Sequence, residues 1–191
     1  MKIILASKSP RRKVILSRLQ LPFEIKMPNF IEDQYKCPEL PQKYAQRLAR
    51  EKALSVSCNN KDTLVIGADT IVLLDEKVIG KPKNQNDARK TLNKLSNTTH
   101  HVITAVSIQI NSKKIDHTFH SKTAVTFNKL NENDILKYIN SNAPFDKAGS
   151  YGIQDFSSIF VKKIDGCYDN VVGFPLSQFC LEIKKIGVNL S

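Results

Sequence analysis

Apolar and polar positions along the chain alternate with two periods, near two and near 3.6 residues, with no internal repeat and no low-complexity linker. Residues 2–6 (Lys-Ile-Ile-Leu-Ala) form a short apolar run that predicts a buried strand. Ser9-Pro10 then opens a helix over 10–19, with serine at the N-cap, proline in the first turn and Val14, Ile15 and Leu19 on the inner face. Residues 28–41 carry Pro28, Pro38 and Pro41 among acidic and polar side chains and predict a mobile loop. A second helix over 41–57 lines up Tyr44, Ala45, Leu48, Ala49 and Ala53. The longest apolar stretch, 63–74, predicts a strand that turns at Asp75-Glu76-Lys77 into Val78-Ile79. A helix over 86–96 follows, then two long strands, 100–111 and 114–127, joined by the hairpin signal Asn111-Ser112-Lys113. A helix at 131–141, a strand at 158–164, a turn at Asp165-Gly166 and a helix at 176–187 complete the pattern. Hairpins among alternating strands and helices predict an α/β fold with a mixed sheet and flanking helices.

Composition narrows the class. A chain of 191 residues with 41% hydrophobic and 25% charged positions has the material for one domain, or two small lobes sharing a core, and is neither disordered nor fibrous. No apolar run approaches the roughly 20 residues of a membrane span, and the N-terminal segment reads as a strand, not a signal peptide. The expectation is a soluble, cytoplasmic protein with no membrane partner. Cys37, Cys58, Cys167 and Cys180 are widely spaced, without metal-site spacing, and read as free thiols. His100 and His101 adjoin, so a strand would point them to opposite faces.

Charge adds one asymmetry. Lys and Arg number 29 against 18 Asp and Glu, a formal net charge of +11 that favours polyanionic partners. The lysines are spread over the whole chain, whereas three of the six arginines, Arg11, Arg12 and Arg18, share one short segment. A nucleic-acid-binding regulator of cell division would concentrate its basic residues on one face with exposed aromatics. Dispersed lysines and the absence of tryptophan argue against that partner.

Certain residues break local rules. Arg11 and Arg12 occupy the first turn of a helix, where cations oppose the macrodipole and free N–H groups favour an anion. A bound phosphate explains them, with Ser7 and Ser9 adding hydroxyls; the alternative is a solvated helix start that Ser9 merely caps. Asp69 is the only ionisable group between Thr63 and Leu74. It must be paired with a lysine, bound to metal or open to a cleft, since burying it alone costs several kcal/mol. Gly67, two residues before it on the same face, would leave space for a ligand. Lys52 and Lys81 are each either solvated or turned to a phosphate. The stretch Asp146-Lys147-Ala148-Gly149-Ser150-Tyr151-Gly152-Ile153-Gln154 is either a connector or a tight loop that brings Gln154 to a base edge.

Taken in order, Leu5-Ala6-Ser7-Lys8-Ser9-Pro10-Arg11-Arg12, Arg47-Leu48-Ala49-Arg50-Glu51-Lys52-Ala53, Gly67-Ala68-Asp69-Thr70, Gly80-Lys81-Pro82, Thr104-Ala105-Val106, the 146–154 stretch and Val171-Val172-Gly173-Phe174-Pro175-Leu176 resemble the Maf family of nucleoside triphosphate pyrophosphatases across essentially the whole chain. The resemblance implies a single domain over 1–191, two-lobed around a central cleft as in inosine triphosphatase-like folds. It implies hydrolysis of a nucleoside triphosphate to monophosphate and pyrophosphate with a divalent cation, usually Mg²⁺. Asp69 matches the proton acceptor, and Arg11, Thr70 and Gln154 match positions that influence the base. The Arg-Arg and Tyr-Gly-Ile-Gln forms are closer to the dTTP/UTP-cleaving branch than to the 7-methyl-GTP branch. Lys8 stands where small residues are common and leaves modified nucleotides open as an alternative. Within this scheme Arg11, Arg12, Lys52 and Lys81 hold the triphosphate, Glu32 joins Asp69 as a metal ligand, and the 28–41 loop closes over the substrate. A homodimer is consistent with the family.

Overall fold

A computed structural model of the chain describes residues 1–36, 38–58, 62–141 and 144–190. Cys37, expected as a free thiol, lies outside the described residues; Cys58, Cys167 and Cys180 are free. The elements run β1 (Lys2–Ala6), α1 (Pro10–Ser17), β2 (Glu24–Lys26), α2 (Pro41–Ser57), β3 (Thr63–Leu74), β4 (Lys77–Ile79), α3 (Gln85–Leu95), β5 (Thr99–Ile110), β6 (Ile115–Phe127), α4 (Glu132–Asn140), β7 (Val161–Asp165), α5 (Tyr168–Val172) and α6 (Leu176–Lys185). Among the described residues the strands form one sheet in the order β2-β1-β3-β5-β6-β7, with β4 paired to β3. β1 is parallel to both β2 and β3, whereas β4 on β3 and β7 on β6 are antiparallel. The α/β fold with a mixed sheet is therefore as expected. A 3₁₀ turn at Asn111–Lys113, closed by Lys114 in the left-handed region (φ 53°), joins β5 to β6. That connection is too short for a parallel crossover.

Several boundaries depart from the pattern-based expectation, each for a local reason. β2 and α5 span three and five residues, too few to show a period. α1 ends at Ser17, short of Leu19, and its inner face is Ile15 and Leu16, while Val14 is 54% exposed. β7 starts at Val161 because Phe156–Phe160 takes a 3₁₀ turn, which the Asp155 carboxylate caps by accepting from the Ser157 amide at 3.0 Å.

The chain divides into two compact units, residues 1–69, 104–121 and 173–191 in the first and 70–103 and 122–172 in the second, so that β3, β5 and β6 each change unit partway along. In the first unit both faces of β1 and β3 are covered. Ile4, Ala6 and Val65 pack against Ala53 and Val56 of α2, while Ile3 and Ile66 line a small apolar cavity with Leu16 of α1 and Phe179 of α6. Double coverage explains why β3 is apolar almost throughout. Gly67 is the closest point of this packing. A Cβ there would land on the Ala49 carbonyl oxygen, 2.7 Å from the Ala53 amide nitrogen. The space beside Gly67, expected to admit a ligand, is filled by the backbone of α2.

In the second unit, Leu92 and Leu95 of α3 and Ile135, Tyr138 and Ile139 of α4 pack with Val72, Val102, Val125 and Phe127. His100 is fully buried there, its Nε2 2.8 Å from the Tyr151 hydroxyl and its ring edge-on to Phe127, while His101 is half-buried. Burial, with a smaller contribution from His101, pushes the His100 imidazole down to about 4.

Two expectations follow from these contacts. Gly67→Ala should lower stability by roughly 1–3 kcal/mol, because helix backbone rather than a flexible side chain must move; an unchanged urea midpoint would place α2 farther from β3. Between the ordinary histidine value of 6.5 and about 4, the unfolded chain binds a proton that folded His100 does not. Stability should therefore fall as pH drops through that window, by up to about 3 kcal/mol. His100→Gln should flatten the decline, read as urea midpoints near neutrality and near pH 5.

Candidate active site

Ser7, Arg12, Glu32, Lys52 and Asp69, all singled out from sequence, are brought together in the first unit. Strand alternation puts Val65, Gly67 and Asp69 on the face of β3 that meets α2. Because α2 lies directly on Gly67, its inner-face Lys52 is carried into the protein and is only 7% exposed. Lys52 Nζ sits 2.5 Å from Asp69 Oδ1 and 2.7 Å from Glu32 Oε1. Of the options open for Asp69, the structure shows pairing with a lysine, and Lys52 is not solvated. Burial pushes the Asp69 carboxyl above its ordinary value; Lys52 and Arg12 pull it back, and Glu32 pushes it up again.

The start of α1 supplies the adjoining cations. The Ser9 side chain caps the helix by accepting from the Arg12 amide at 3.4 Å, and the Ser9 amide donates to Ser7 Oγ at 3.1 Å. Arg12 does not extend into solvent from this first turn. Its Nε donates to the Gly173 carbonyl at 2.9 Å and its Nη1 to Ser7 Oγ at 3.3 Å. Burial lowers the Arg12 guanidinium from its usual value, Asp69 and Glu32 raise it, and neighbouring Arg11 lowers it. Arg11 is half-buried.

Thr70, Lys81 and Gln154 belong to the second unit. Thr70 is half-buried, and Lys81 and Gln154 are exposed. Their loops are tied together where the Gly149 amide donates to the Gly80 carbonyl at 3.1 Å. Gly149 needs its left-handed backbone (φ 70°) and meets Val72, and a Cβ on Gly152 would strike Lys147 and Asp155. The small residues of 146–154 thus make room for the protein's own side chains.

A group of residues beyond this set governs the loop that carries Glu32. Arg47, on α2, bonds the carboxylates of both Asp33 and Glu39. Tyr44, one turn earlier, donates its hydroxyl to the Asp33 carbonyl at 2.8 Å. The loop expected to be mobile is therefore fastened to α2. The available signal in sequence was three acidic residues, Glu32, Asp33 and Glu39, in a proline-bounded loop next to a helix that carries Arg47 and Arg50.

An ammonium shared by two carboxylates, with an inward-turned arginine alongside, equips an α/β protein to act on a phosphorylated substrate: cations to bind it and a carboxylate of raised pKa to take a proton. The chain belongs to the Maf-like protein family, whose model matches residues 2–186. It is 44% identical over 190 residues to a dTTP/UTP pyrophosphatase of Bacillus cereus, covering 100% of this chain and 98% of that protein. A dTTP/UTP pyrophosphatase of Bacillus thuringiensis subsp. konkukian matches at 44% identity with the same coverage. Among solved structures, the Staphylococcus aureus Ham1 protein aligns with a TM-score of 0.44 and 16% identity over 66% of this chain and 72% of that one.

Lys52→Met tests the pair. Removing the ammonium leaves Asp69 buried without its hydrogen-bonded cation, with Arg12 compensating it in part, a loss of up to about 3–5 kcal/mol at neutral pH. Its carboxyl would then titrate still higher in the folded state, so part of the loss should return as pH falls and Asp69 takes up a proton. A neutral-pH stability equal to wild type would show that the pair is solvated.

Proposed function

We propose that this protein hydrolyses nucleoside triphosphates, dTTP and UTP foremost, to the monophosphate and pyrophosphate, as a house-cleaning activity on cytoplasmic nucleotide pools. The observation that carries the proposal is the buried Lys52–Asp69 pair, with Glu32 and Arg12 beside it, in a chain 44% identical over its full length to dTTP/UTP pyrophosphatases.

Water attacks the α-phosphorus, and the bond from that phosphorus to the α–β bridging oxygen breaks. Asp69 takes the proton from the water; its raised pKa makes it a better base than an ordinary aspartate. Arg11, Arg12, Lys52 and Lys81 bind the triphosphate and offset the charge of the departing pyrophosphate. Ser7 and Ser9 keep the approach to the helix start polar, and Ser7 also orients Arg12. Thr70 and Gln154 face the pyrimidine.

A divalent cation fits the donor set. Glu32 and Asp69 present carboxylate oxygens to one cationic position, that of the Lys52 ammonium. Mg²⁺ is commonly held by one or two carboxylates together with phosphate oxygens and water. A cation held by these two carboxylates would take its remaining ligands from the phosphates of the nucleotide and from water. Held by Glu32 and Asp69, Mg²⁺ would neutralise phosphate charge in the transition state.

Pyrophosphate release from a panel of canonical and modified triphosphates, with Mg²⁺ and with chelator, tests the proposal. The expected result is metal-dependent release from dTTP and UTP that falls at least ~10²-fold in Asp69→Asn, the scale of losing a general base. Release confined to purine or modified nucleotides would keep the chemistry and overturn the roles of Thr70 and Gln154. No release from any of them would overturn the proposal and turn attention to nucleic-acid binding.

A further inference from the structure

The loop before α2 has no helix or strand among its described residues 27–36 and 38–40, yet it is fastened at defined points. Asp33 is held at both ends. Its carbonyl accepts the Tyr44 hydroxyl at 2.8 Å, and its carboxylate accepts from Arg47 Nη1 and Nη2 at 3.2 and 3.1 Å. Further along the loop, the Glu39 carboxylate accepts from the same guanidinium, from Nε at 3.0 Å and Nη2 at 2.9 Å. The Tyr35 hydroxyl donates to the Glu39 carbonyl at 2.6 Å, and its ring meets Tyr44 edge-on at 5.3 Å. One arginine thus grips two points of the loop, each through two bonds, a fork geometry that lysine cannot reproduce.

The grip lies next to the site. Glu32 immediately precedes Asp33, and its half-exposed side chain reaches Lys52 Nζ at 2.7 Å. On its other side Ile31 is 93% exposed and supplies no packing. The hydrogen bonds of Asp33 therefore bear directly on the backbone next to Glu32. Arg47, Asp33 and Glu39 are all partly exposed, at 36%, 52% and 28% of their side-chain surface. A guanidinium with two bonds to each of two loop carboxylates fixes the path of that loop against α2, whatever it adds to global stability.

We propose that Arg47 is a positioning residue: by clamping Asp33 and Glu39 to α2 it holds Glu32 at the Lys52–Asp69 pair. The proposal rests on the reading of Glu32 as a carboxylate of the cation site. Arg47 itself touches neither substrate nor metal; it acts through the loop.

The test uses the intact chain with Arg47→Ala, Arg47→Lys, Glu32→Gln and the Arg47→Ala/Glu32→Gln double variant. The probe is Mn²⁺, its affinity followed by electron paramagnetic resonance in the presence of a non-hydrolysable α,β-methylene analogue of dTTP. Hydrogen exchange is read in parallel at the loop amides and at β3. Arg47→Ala should weaken Mn²⁺ binding about 10-fold, the lower end for residues that orient a ligand. It should speed exchange in the loop while leaving β3 as in wild type. Arg47→Lys, which keeps the charge without the fork, should recover only part of the affinity; it also carries the comparison if Arg47→Ala loosens β3. The double variant should bind no more weakly than Glu32→Gln alone. Wild-type affinity in both Arg47 variants, or losses that add to that of Glu32→Gln, would overturn the positioning role and leave the cation site standing. Wild-type affinity in Glu32→Gln would overturn both together.

Discussion

The contact between Lys52 and Asp69 constrains the rest of the first unit. Taking an ammonium and a carboxylate out of water costs several kcal/mol per ion, and their attraction returns that only when geometry is close and other groups assist. The geometry here depends on a missing side chain. Without the open surface of Gly67, α2 would stand off from β3 and Lys52 would fall short of Asp69. Well-packed apolar residues would serve stability at least as well as this pair. Its presence next to an inward-turned arginine and a second carboxylate points to chemistry rather than to stability.

Charge around the pair is arranged unevenly. Asp69 and Glu32 share one ammonium, while Arg12 feels both carboxylates and is opposed by Arg11. Arginines at the start of a helix normally work against its dipole. Here Arg12 is steered away from solvent by the Gly173 carbonyl and Ser7, so that a structural contact sets the direction of a cation. An arriving polyanion would meet cations already oriented, and little reorganisation would be needed at the moment of reaction.

The long elements were legible in the sequence: β3 over 63–74 as a twelve-residue apolar run and α2 over 41–57 by its helical period, and both match their predicted limits. α1 has only eight residues, about two turns, so its pattern could not decide between Val14 and Leu16 for the inner face. Asp69 was legible as the only ionisable group in an apolar strand. The burial of Lys52 was not, because it follows from how closely two backbones approach at Gly67, and local spacing carries no record of that distance. The same gap led to space beside Gly67 being assigned to a ligand. The Arg47 clamp left only a compositional signal for a different reason: its partners lie in a segment with no period, where side-chain pairing depends on the loop's path.

The loops of Lys81 and Gln154 and the residues around the buried pair are held by separate sets of contacts. Asp69, Lys52, Glu32 and Arg12 depend on Gly67, Ser7 and Gly173 within the first unit. The loops of Lys81 and Gln154 depend on Gly149 packing against Val72 and bonding Gly80 within the second. The two sets share no residue, so a change at Gly80 or Gly149 removes none of the contacts that hold Lys52 and Arg12. The proposed chemistry is in this sense built deep into the fold: it rests on a buried helix–strand contact, whereas Lys81 and Gln154 are exposed.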